Sequence, residues 1–230
     1  FVGLLLSDMK NYASILRSRG DLKASFQPLA PLVESVRFVV MLSRSKTLPF
    51  IAIGLDAVLK KSGNVADLPK VTVVVVGETA RAQNFSLGGY DRETNPLLAQ
   101  EDILYFENVS SCGTSTAVSL PCMFSRYGRV DYSHELGVSH ENVLDVLQRS
   151  GMRVEWIENN TGDKGLAARI GYRQVTYADD PEFCGEGECI DGILVKEVAQ
   201  ILPEIDQDTV LVLHQIGSHG PSYYLRYPEA

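Results

Sequence analysis

The sequence lacks several features that would assign it to a common functional class. None of its apolar runs approaches the roughly 20 residues that a membrane-spanning helix needs. Positive charge is also scarce, since 21 Lys and Arg stand against 29 Asp and Glu, for a net charge of −8. This balance excludes nucleic-acid binding by general electrostatic attraction. Hydrophobic residues, by contrast, make up 45% of the 230 residues, which is enough to bury the core of one large domain.

Both ends of the sequence resemble cut ends. The chain opens at Phe1 inside a short apolar stretch, without an initiator Met and without the basic segment of a signal peptide. It closes at Ala230, directly after a Tyr-Pro-Glu sequence. We therefore expect the chain to be a fragment of a longer protein.

The four cysteines form two local pairs, Cys112 with Cys122 and Cys184 with Cys189. Four cysteines allow three connectivities, and short loops rich in Gly and Ser favour the local one. Neither spacing fits a zinc ribbon. Two local disulfides in an α/β protein indicate an oxidising compartment such as a periplasm. The alternative is four reduced cysteines in a cytosolic enzyme.

The pattern of apolar residues divides the chain into 1–66 and 67–230. The first part lacks strand alternation, contains a helical-looking segment at 32–45 and is typical of a connecting arm. The second part alternates strands with helices, which predicts an α/β domain with a mainly parallel sheet and helices on both faces. The predicted strands are 71–77, 103–107, 152–157 and 209–214, and the predicted helices are 141–150 and 190–202.

The first predicted strand ends in a carboxylate. Four consecutive valines, 73–76, are typical of a strand that is buried in a parallel sheet, and Gly77 stops it. Glu78 follows directly. Functional groups of open α/β sheets collect at the carboxyl ends of the strands, so Glu78 is a candidate site residue. The alternative is a solvated acid in an ordinary turn.

Two further strand ends carry polar clusters, 158–164 and 214–219, and a hydroxyl-rich segment lies at 111–122. A carboxylate, a lysine and a histidine beside hydroxyl groups suit the transfer of an anionic group. In such a reaction a hydroxyl attacks, and a metal lowers its pKa. His134 and His140 are expected on the surface, and Trp156 is expected in the core. Composition alone leaves six candidate nucleophiles open: Ser110, Ser111, Thr114, Ser115, Thr116 and Ser119.

Four segments together resemble the lipid A phosphoethanolamine transferases, which include the mobile colistin-resistance proteins. The segments are 74–81, 112–125, 159–165 and 214–221. They occur in the same order and at similar spacing. The resemblance implies an alkaline phosphatase or sulfatase type of fold with zinc as cofactor. It also implies that 67–230 is the N-terminal part of the catalytic domain and that 1–66 is a periplasmic connector following a membrane region.

The resemblance assigns roles to individual residues. It implies that Thr116 is the nucleophile and a zinc ligand and that Glu78 is a second zinc ligand. Five further residues would line the phosphoethanolamine pocket or a second metal site: Thr114, Asn160, Thr161, Lys164 and His219. The family completes its zinc site with an Asp-His-Gly motif, which we expect beyond Ala230. We therefore expect an incomplete sheet with an exposed edge, weak zinc binding and no transfer by this piece alone.

The implied activity is zinc-dependent transfer of phosphoethanolamine from phosphatidylethanolamine to lipid A, or to another lipopolysaccharide acceptor, through a phospho-threonine. The implied location is the bacterial inner membrane, with anchoring through a missing N-terminal region and the catalytic domain in the periplasm. The associated trait is polymyxin resistance. One alternative is a sulfatase or phosphodiesterase, but Phe124 occupies the place of the proline in the cysteine motif of sulfatases. The other alternative is a non-catalytic periplasmic domain.

Overall fold

A computed structural model describes residues 49–60, 68–176, 180–185, 188–220 and 223–227. The predicted helical segment 32–45 and most of the predicted connector lie outside these ranges. Within them, no helix has the length and apolarity that crossing a membrane requires.

The fold is built on a parallel sheet of four strands in the order β1-β6-β2-β3. A two-stranded antiparallel ribbon joins β4 to β5. The strands are β1 Val71–Val76, β2 Arg153–Glu158, β3 Gly171–Gln174, β4 Cys184–Gly185, β5 Glu188–Cys189 and β6 Thr209–His214. Three of the four predicted strands are therefore confirmed, whereas β3 and the ribbon were not predicted.

Helices cover both faces of the sheet, as predicted. The helices are α1 Thr116–Phe124, α2 His134–Ser139, α3 Val143–Arg149 and α4 Gly192–Ile201. On one face, Trp156 and Val212 pack with residues of α1 and α3, including Leu120 and Leu144. On the other face, Leu211 and its neighbours pack with α4. This division follows from the two-residue alternation of side chains along a strand.

The helices differ in how well the sequence predicts them. The two predicted helices correspond to α3 and α4 within two residues. A capping box starts α3, because Asn142 accepts from the Leu144 N–H while Asp145 accepts from the Asn142 N–H. The helix α1 was not predicted, since it contains Pro121 and begins with small and β-branched residues that have low helix propensity.

Two predictions about strands are wrong. Residues 103–107 form no strand, and most of them are exposed. The valine strand β1 is not buried on both faces either, because it lies at the edge of the sheet. Val71, Val73 and Val75 are 36%, 45% and 57% exposed. The expected exposed edge of the sheet corresponds to β1, whose three exposed valines lie on the same face as Leu211 but outside the cluster that packs with α4.

Residues 49–60 pack against the sheet domain. The Ile51 N–H donates to the Ser139 carbonyl over 2.8 Å, and the Glu141 N–H donates to the Ile51 carbonyl over 3.0 Å. The Glu141 carboxylate also accepts from the Ile53 N–H and pairs with Arg149. The described end of the predicted connector is thus held by α3 and the turn before it. The boundary at residue 66 remains a prediction.

Both predicted disulfides are present, Cys112–Cys122 and Cys184–Cys189. The second closes the ribbon between β4 and β5, whose two cysteines are directly paired in register. Loop closure makes each bond worth about 2–3 kcal/mol of unfolding free energy for rings of this size.

Candidate active site

Three strands of the sheet deliver polar loops to one edge. In the register of the sheet, Val76 at the end of β1 pairs with His214 at the end of β6, and His214 pairs with Glu158 at the end of β2. The loops that begin at 77, 159 and 215 therefore emerge side by side. The predicted convergence of the polar clusters is confirmed.

The closest functional contact joins Thr116 and Glu78. The Thr116 hydroxyl Oγ1 donates to Glu78 Oε2 over 2.7 Å, although the two residues are 38 positions apart. The second carboxylate oxygen of Glu78 accepts from the Thr79 hydroxyl over 2.9 Å. Both Thr116 and Glu78 are half-buried. Of the six candidate hydroxyl groups, the structure thus brings that of Thr116 to the carboxylate.

Thr116 is also the first residue of α1, with Ser115 as its N-cap. The first backbone N–H groups of a helix have no partner within it, and the helix dipole is positive at this end. Negative charge that develops on the Thr116 oxygen or on a bound phosphoryl group is therefore stabilised. The disulfide Cys112–Cys122 ties the segment before Thr116 to the last turn of α1 and restrains this helix start.

Backbone geometry holds Glu78 in place. Thr79 has a φ of 56°, which is a rare conformation for a β-branched residue. On the neighbouring loop, Gly217 has a φ of 50°, and a Cβ there would lie 2.5 Å from the Glu78 carbonyl oxygen. The Ser218 N–H donates to that same oxygen over 3.3 Å. Only glycine at 217 permits this close contact between the loops after β1 and β6.

A cavity of about 490 Å³ opens beside Thr116. Its polar lining includes Glu78, Arg81, Ser111, Thr114, Thr116 and His214. Thr114 was predicted to contact the substrate, and its position in this wall is consistent with that role. Arg81 belongs to the motif after β1 but had been given no role.

A buried network supports the floor of this cavity. The Glu158 carboxylate is fully buried and accepts from Trp156 Nε1 over 3.0 Å, from the Tyr172 hydroxyl over 2.7 Å and from His214 Nδ1 over 2.9 Å. The Asn160 amide lies 3.2 Å from His214 Nε2 and donates to it. The two ring nitrogens of His214 thus contact Glu158 on one side and Asn160 on the other.

Protonation of the network follows from its contacts. Burial opposes ionisation of Glu158, but the hydrogen bonds from His214, Tyr172 and Trp156 outweigh it and hold the pKa of the carboxyl below its usual value. The pKa of Tyr172 is raised by burial and by its bond to Glu158. The network therefore contains a buried carboxylate that contacts three side chains, and one of them, His214, touches the cavity.

The remaining predicted residues lie in loops beside the cavity and not in its wall. Asn160 is buried and bonds to the Gln215 carbonyl over 2.7 Å, and Thr161 N–H donates to Asn160 Oδ1 over 2.7 Å. The Lys164 ammonium donates to the Thr161 carbonyl over 2.7 Å. His219 is exposed, and its imidazole makes no recorded bond to the described residues. Their contact with a substrate remains a prediction.

The donor groups suit part of a zinc site. Zinc takes carboxylate, imidazole and thiolate ligands, and it acidifies a hydroxyl that it binds. Glu78 and Thr116 offer two oxygen donors in direct contact. Within the described ranges, no group of three His, Cys, Asp or Glu residues could hold a metal ion. These two residues thus fit as a portion of the ligand set.

The sequence had indicated some of this site and missed the rest. Glu158 and His214 belonged to polar clusters, yet their mutual contact depends on a strand register that no local pattern reveals. Trp156 was correctly predicted in the core, but its bond to Glu158 was not foreseen. The two-residue offset between Trp156 and Glu158 is the available signal, because it puts both side chains on one face of β2.

Known proteins resemble this chain in sequence and in fold. The Sulfatase family profile matches residues 70–230. The chain is 44% identical over 219 residues to phosphoethanolamine transferase EptA of Escherichia coli K12, covering 95% of this chain and 40% of that protein. It is 36% identical over 229 residues to phosphatidylethanolamine transferase Mcr-1 of E. coli, covering 95% and 42% respectively.

A solved structure gives the same result. The integral membrane lipooligosaccharide phosphoethanolamine transferase A of Neisseria meningitidis matches with a TM-score of 0.79 and 40% identity, covering 99% of this chain and 42% of that one. The chain thus spans about two fifths of the length of these relatives. The resemblance carried by the four motifs is confirmed. The chain belongs to the Sulfatase family, and the members that it resembles in sequence and fold are phosphoethanolamine transferases.

Proposed function

We propose that the protein to which this chain belongs transfers phosphoethanolamine from phosphatidylethanolamine to lipid A, with zinc as cofactor and Thr116 as the covalent nucleophile. The observation that carries the proposal is the 2.7 Å contact between Thr116 Oγ1 and Glu78 Oε2 at the start of α1. A hydroxyl is a weak nucleophile unless a neighbouring group activates it. Here a carboxylate and a helix N-terminus both act on one hydroxyl.

The chemistry divides into two displacements at phosphorus. In the first, Thr116 Oγ1 forms a bond to the phosphorus of the donor, the bond to the diacylglycerol oxygen breaks, and that leaving oxygen takes up the proton that Thr116 loses. In the second, a lipid A oxygen attacks the same phosphorus, the bond to Thr116 breaks, and the proton of the acceptor passes to Thr116 Oγ1. A zinc ion held by Glu78 and Thr116 would supply the positive charge that lowers the pKa of the hydroxyl.

The protein supplies charge and orientation for both steps. The N–H groups at the start of α1 face developing charge on the phosphoryl oxygens. Arg81 is a further cation in the wall of the same cavity. Lys164 and His219, which the family resemblance assigns to the phosphoethanolamine pocket, complete the proposed set. The two disulfides support a periplasmic location of this domain, and anchoring in the inner membrane is part of the proposal.

Substitution of Thr116 tests the proposal. In the full-length protein, Thr116→Ala removes the attacking oxygen, so transfer to lipid A should fall to background while the unfolding free energy changes by no more than about 1 kcal/mol. Mass spectrometry of the peptide around Thr116, isolated after incubation with phosphatidylethanolamine, should detect a phosphoethanolamine adduct in the wild type only.

Two controls sharpen this test. Thr72→Ala makes the same chemical change at an exposed position of β1 outside the cavity, and it should leave transfer intact. Glu78→Gln should lower the zinc content of the purified full-length protein, measured by metal analysis. An adduct on Ser115 or Thr114 would refute the assignment to Thr116. Release of free phosphoethanolamine to water, with none passed to lipid A, would mean that the enzyme is a hydrolase.

A further inference from the structure

A second cavity, of about 520 Å³, adjoins the one beside Thr116. The two cavities share the segment 77–81, and no other described residue lines both. The first is otherwise lined by Val76, by residues within 111–123 and by His214, whereas the second is otherwise lined by residues within 84–95, by the loop after β6 and by Tyr223. Glu78, which touches Thr116, is therefore a wall of both cavities.

The lining of the second cavity is polar but almost uncharged. Beyond the shared segment, its polar side chains are Asn84, Thr94, Asn95, Gln215, Ser218 and Tyr223. These are amide and hydroxyl groups, which both donate and accept hydrogen bonds. Phe85 and Tyr223 add aromatic surface. Such a lining suits a neutral ligand with many hydroxyl groups and some apolar faces, which describes a saccharide.

Several of these groups are available to a ligand. The Thr94 hydroxyl accepts from the Ser86 N–H and donates to the Asn84 carbonyl, and the Asn95 amide oxygen accepts from the Ser86 hydroxyl. The side chains of Asn84, Gln215 and Ser218, in contrast, make no recorded hydrogen bond to any described residue. Gln215 is only partly buried and directly follows β6, so its amide is held at the cavity by the sheet. Thr94 and Asn95 thus hold the wall of the cavity together, whereas the side chains of Asn84, Gln215 and Ser218 can bind a ligand.

The shared segment carries a single cation, Arg81. Its guanidinium has no recorded ion-pair or hydrogen-bond partner in the described parts of the chain. A planar guanidinium binds the oxygens of a phosphate in a bidentate manner. Because Arg81 lines both cavities, a phosphate bound to it lies between the saccharide-like cavity and the Thr116 cavity.

We infer that the second cavity binds the acceptor, as a saccharide that carries a phosphomonoester, with the sugar against Asn84, Gln215 and Ser218 and the phosphate on Arg81. This inference rests on the proposed function. In the second displacement, an oxygen of the acceptor phosphate forms a bond to the phosphorus on Thr116, the Thr116 Oγ–phosphorus bond breaks, and the proton of the acceptor phosphate passes to Oγ. Donor and acceptor thus use separate cavities joined at Glu78 and Arg81.

Measuring the two displacements separately tests the inference. The full-length protein in phosphatidylethanolamine vesicles is assayed first for diacylglycerol released per enzyme without acceptor, and then for transfer after lipid A is added. Gln215→Leu removes the free amide, so the KM for lipid A should rise about tenfold while the first release keeps its size and rate. Arg81→Gln should raise this KM further, and Arg81→Lys should restore part of the loss.

Matched variants show whether a change in KM comes from the cavity itself or from misfolding. Gln207→Leu makes the same change just before β6 instead of just after it, at an exposed residue outside both cavities, and it should alter neither step. Ser218→Ala is a smaller change at an exposed position and should raise the KM for lipid A by a lesser factor. Glucosamine 1-phosphate should compete with lipid A in the wild type and lose potency in Gln215→Leu, whereas inorganic phosphate should compete equally well with both.

The possible results separate the inference from the proposed function. A wild type without any release of diacylglycerol overturns the proposed function itself. Normal release with an unchanged KM for lipid A in Gln215→Leu and Ser218→Ala overturns only the acceptor cavity. If these variants slow the release and leave the acceptor step alone, the second cavity binds the donor and the inference is wrong.

Discussion

The strands β1 and β6 are neighbours with similar sequences and very different surroundings. Both are short apolar runs, Val-Thr-Val-Val-Val-Val and Thr-Val-Leu-Val-Leu-His, and they pair in parallel along their whole length. All six residues of β6 are buried, whereas only Val76 of β1 is fully buried. The position within the sheet, and not the apolarity of the run, decides the difference.

The ends of the strands differ in the same way. Beyond β1 lies Glu78, half-buried and open to a cavity on each side. At the ends of β6 and β2 lie His214 and Glu158, both buried and fully bonded. The edge strand thus presents the carboxylate that contacts Thr116, and the central strands carry the buried network.

The largest expected effects on stability and on transfer come from replacing Glu158 and Glu78, each in its own variant, with alanine. Glu158→Ala leaves the donors of Trp156, Tyr172 and His214 unpaired in the interior and should cost about 3–5 kcal/mol of unfolding free energy. Glu78→Ala should cost less than about 1 kcal/mol but abolish transfer. Urea denaturation combined with the transfer assay checks both. Equal losses of stability would remove the distinction between the two strand ends.

The pH dependence of stability gives a second measure of Glu158. Its pKa is lowered in the folded state, so its stabilising contribution is present above the ordinary glutamate pKa of about 4.3 and disappears as the pH falls through the lowered value. Glu158→Gln should therefore flatten the acid limb of the curve of unfolding free energy against pH. If the acid limb stays as steep as in the wild type, groups other than Glu158 cause the loss of stability at low pH.

A valine-to-alanine pair compares the strands directly. Val212→Ala in β6 removes two methyl groups from a fully buried site and should cost about 2–3 kcal/mol. Val73→Ala in β1 makes the same change at a residue that is 45% exposed and should cost no more than about 0.5–1 kcal/mol. Urea midpoints at constant m-value measure the difference. Similar costs would indicate that the uncovered face of β1 is packed in solution.

The smallest expected change in stability concerns the exposed edge. Val75→Lys adds a charge to a flat apolar strand, so it should change the unfolding free energy by less than about 0.5 kcal/mol and reduce self-association. Val75→Leu, which keeps the surface apolar, is the matched control. Light scattering of the purified chain against concentration measures the effect. No difference between the two variants would mean that β1 does not promote association.

Much of the fold could be predicted because it depends on local pattern. The apolar runs of β1 and β6, the amphipathic helix α4 and the close pairs of cysteines each carry their signal within a few residues. The helix α1 could not be predicted in this way, because Pro121 and its Ser and Thr residues argue against a helix. Packing of Leu120 and Phe124 on the sheet overrides that local preference.

The site was predictable in its residue types and less so in its contacts. Glu78 and Thr116 follow from a strand end and a family motif, whereas the pairing of Glu158 with His214 spans 56 positions and depends on register. The edge position of β1 is likewise a property of the whole sheet. Apolar composition indicates a strand but does not say how many of its faces are covered.

The pairing of β1 with β6 also determines when the sheet can form during synthesis of the chain. Lys70 and Asp208, which bond at the start of the two strands, are 138 positions apart. At a synthesis rate of about 5–20 residues per second, β1 waits on the order of ten seconds for its partner. Contacts of such long sequence range form slowly. The surroundings of Glu78 are therefore assembled late, and the valine strand stays unpaired while the ribosome is still synthesising the chain.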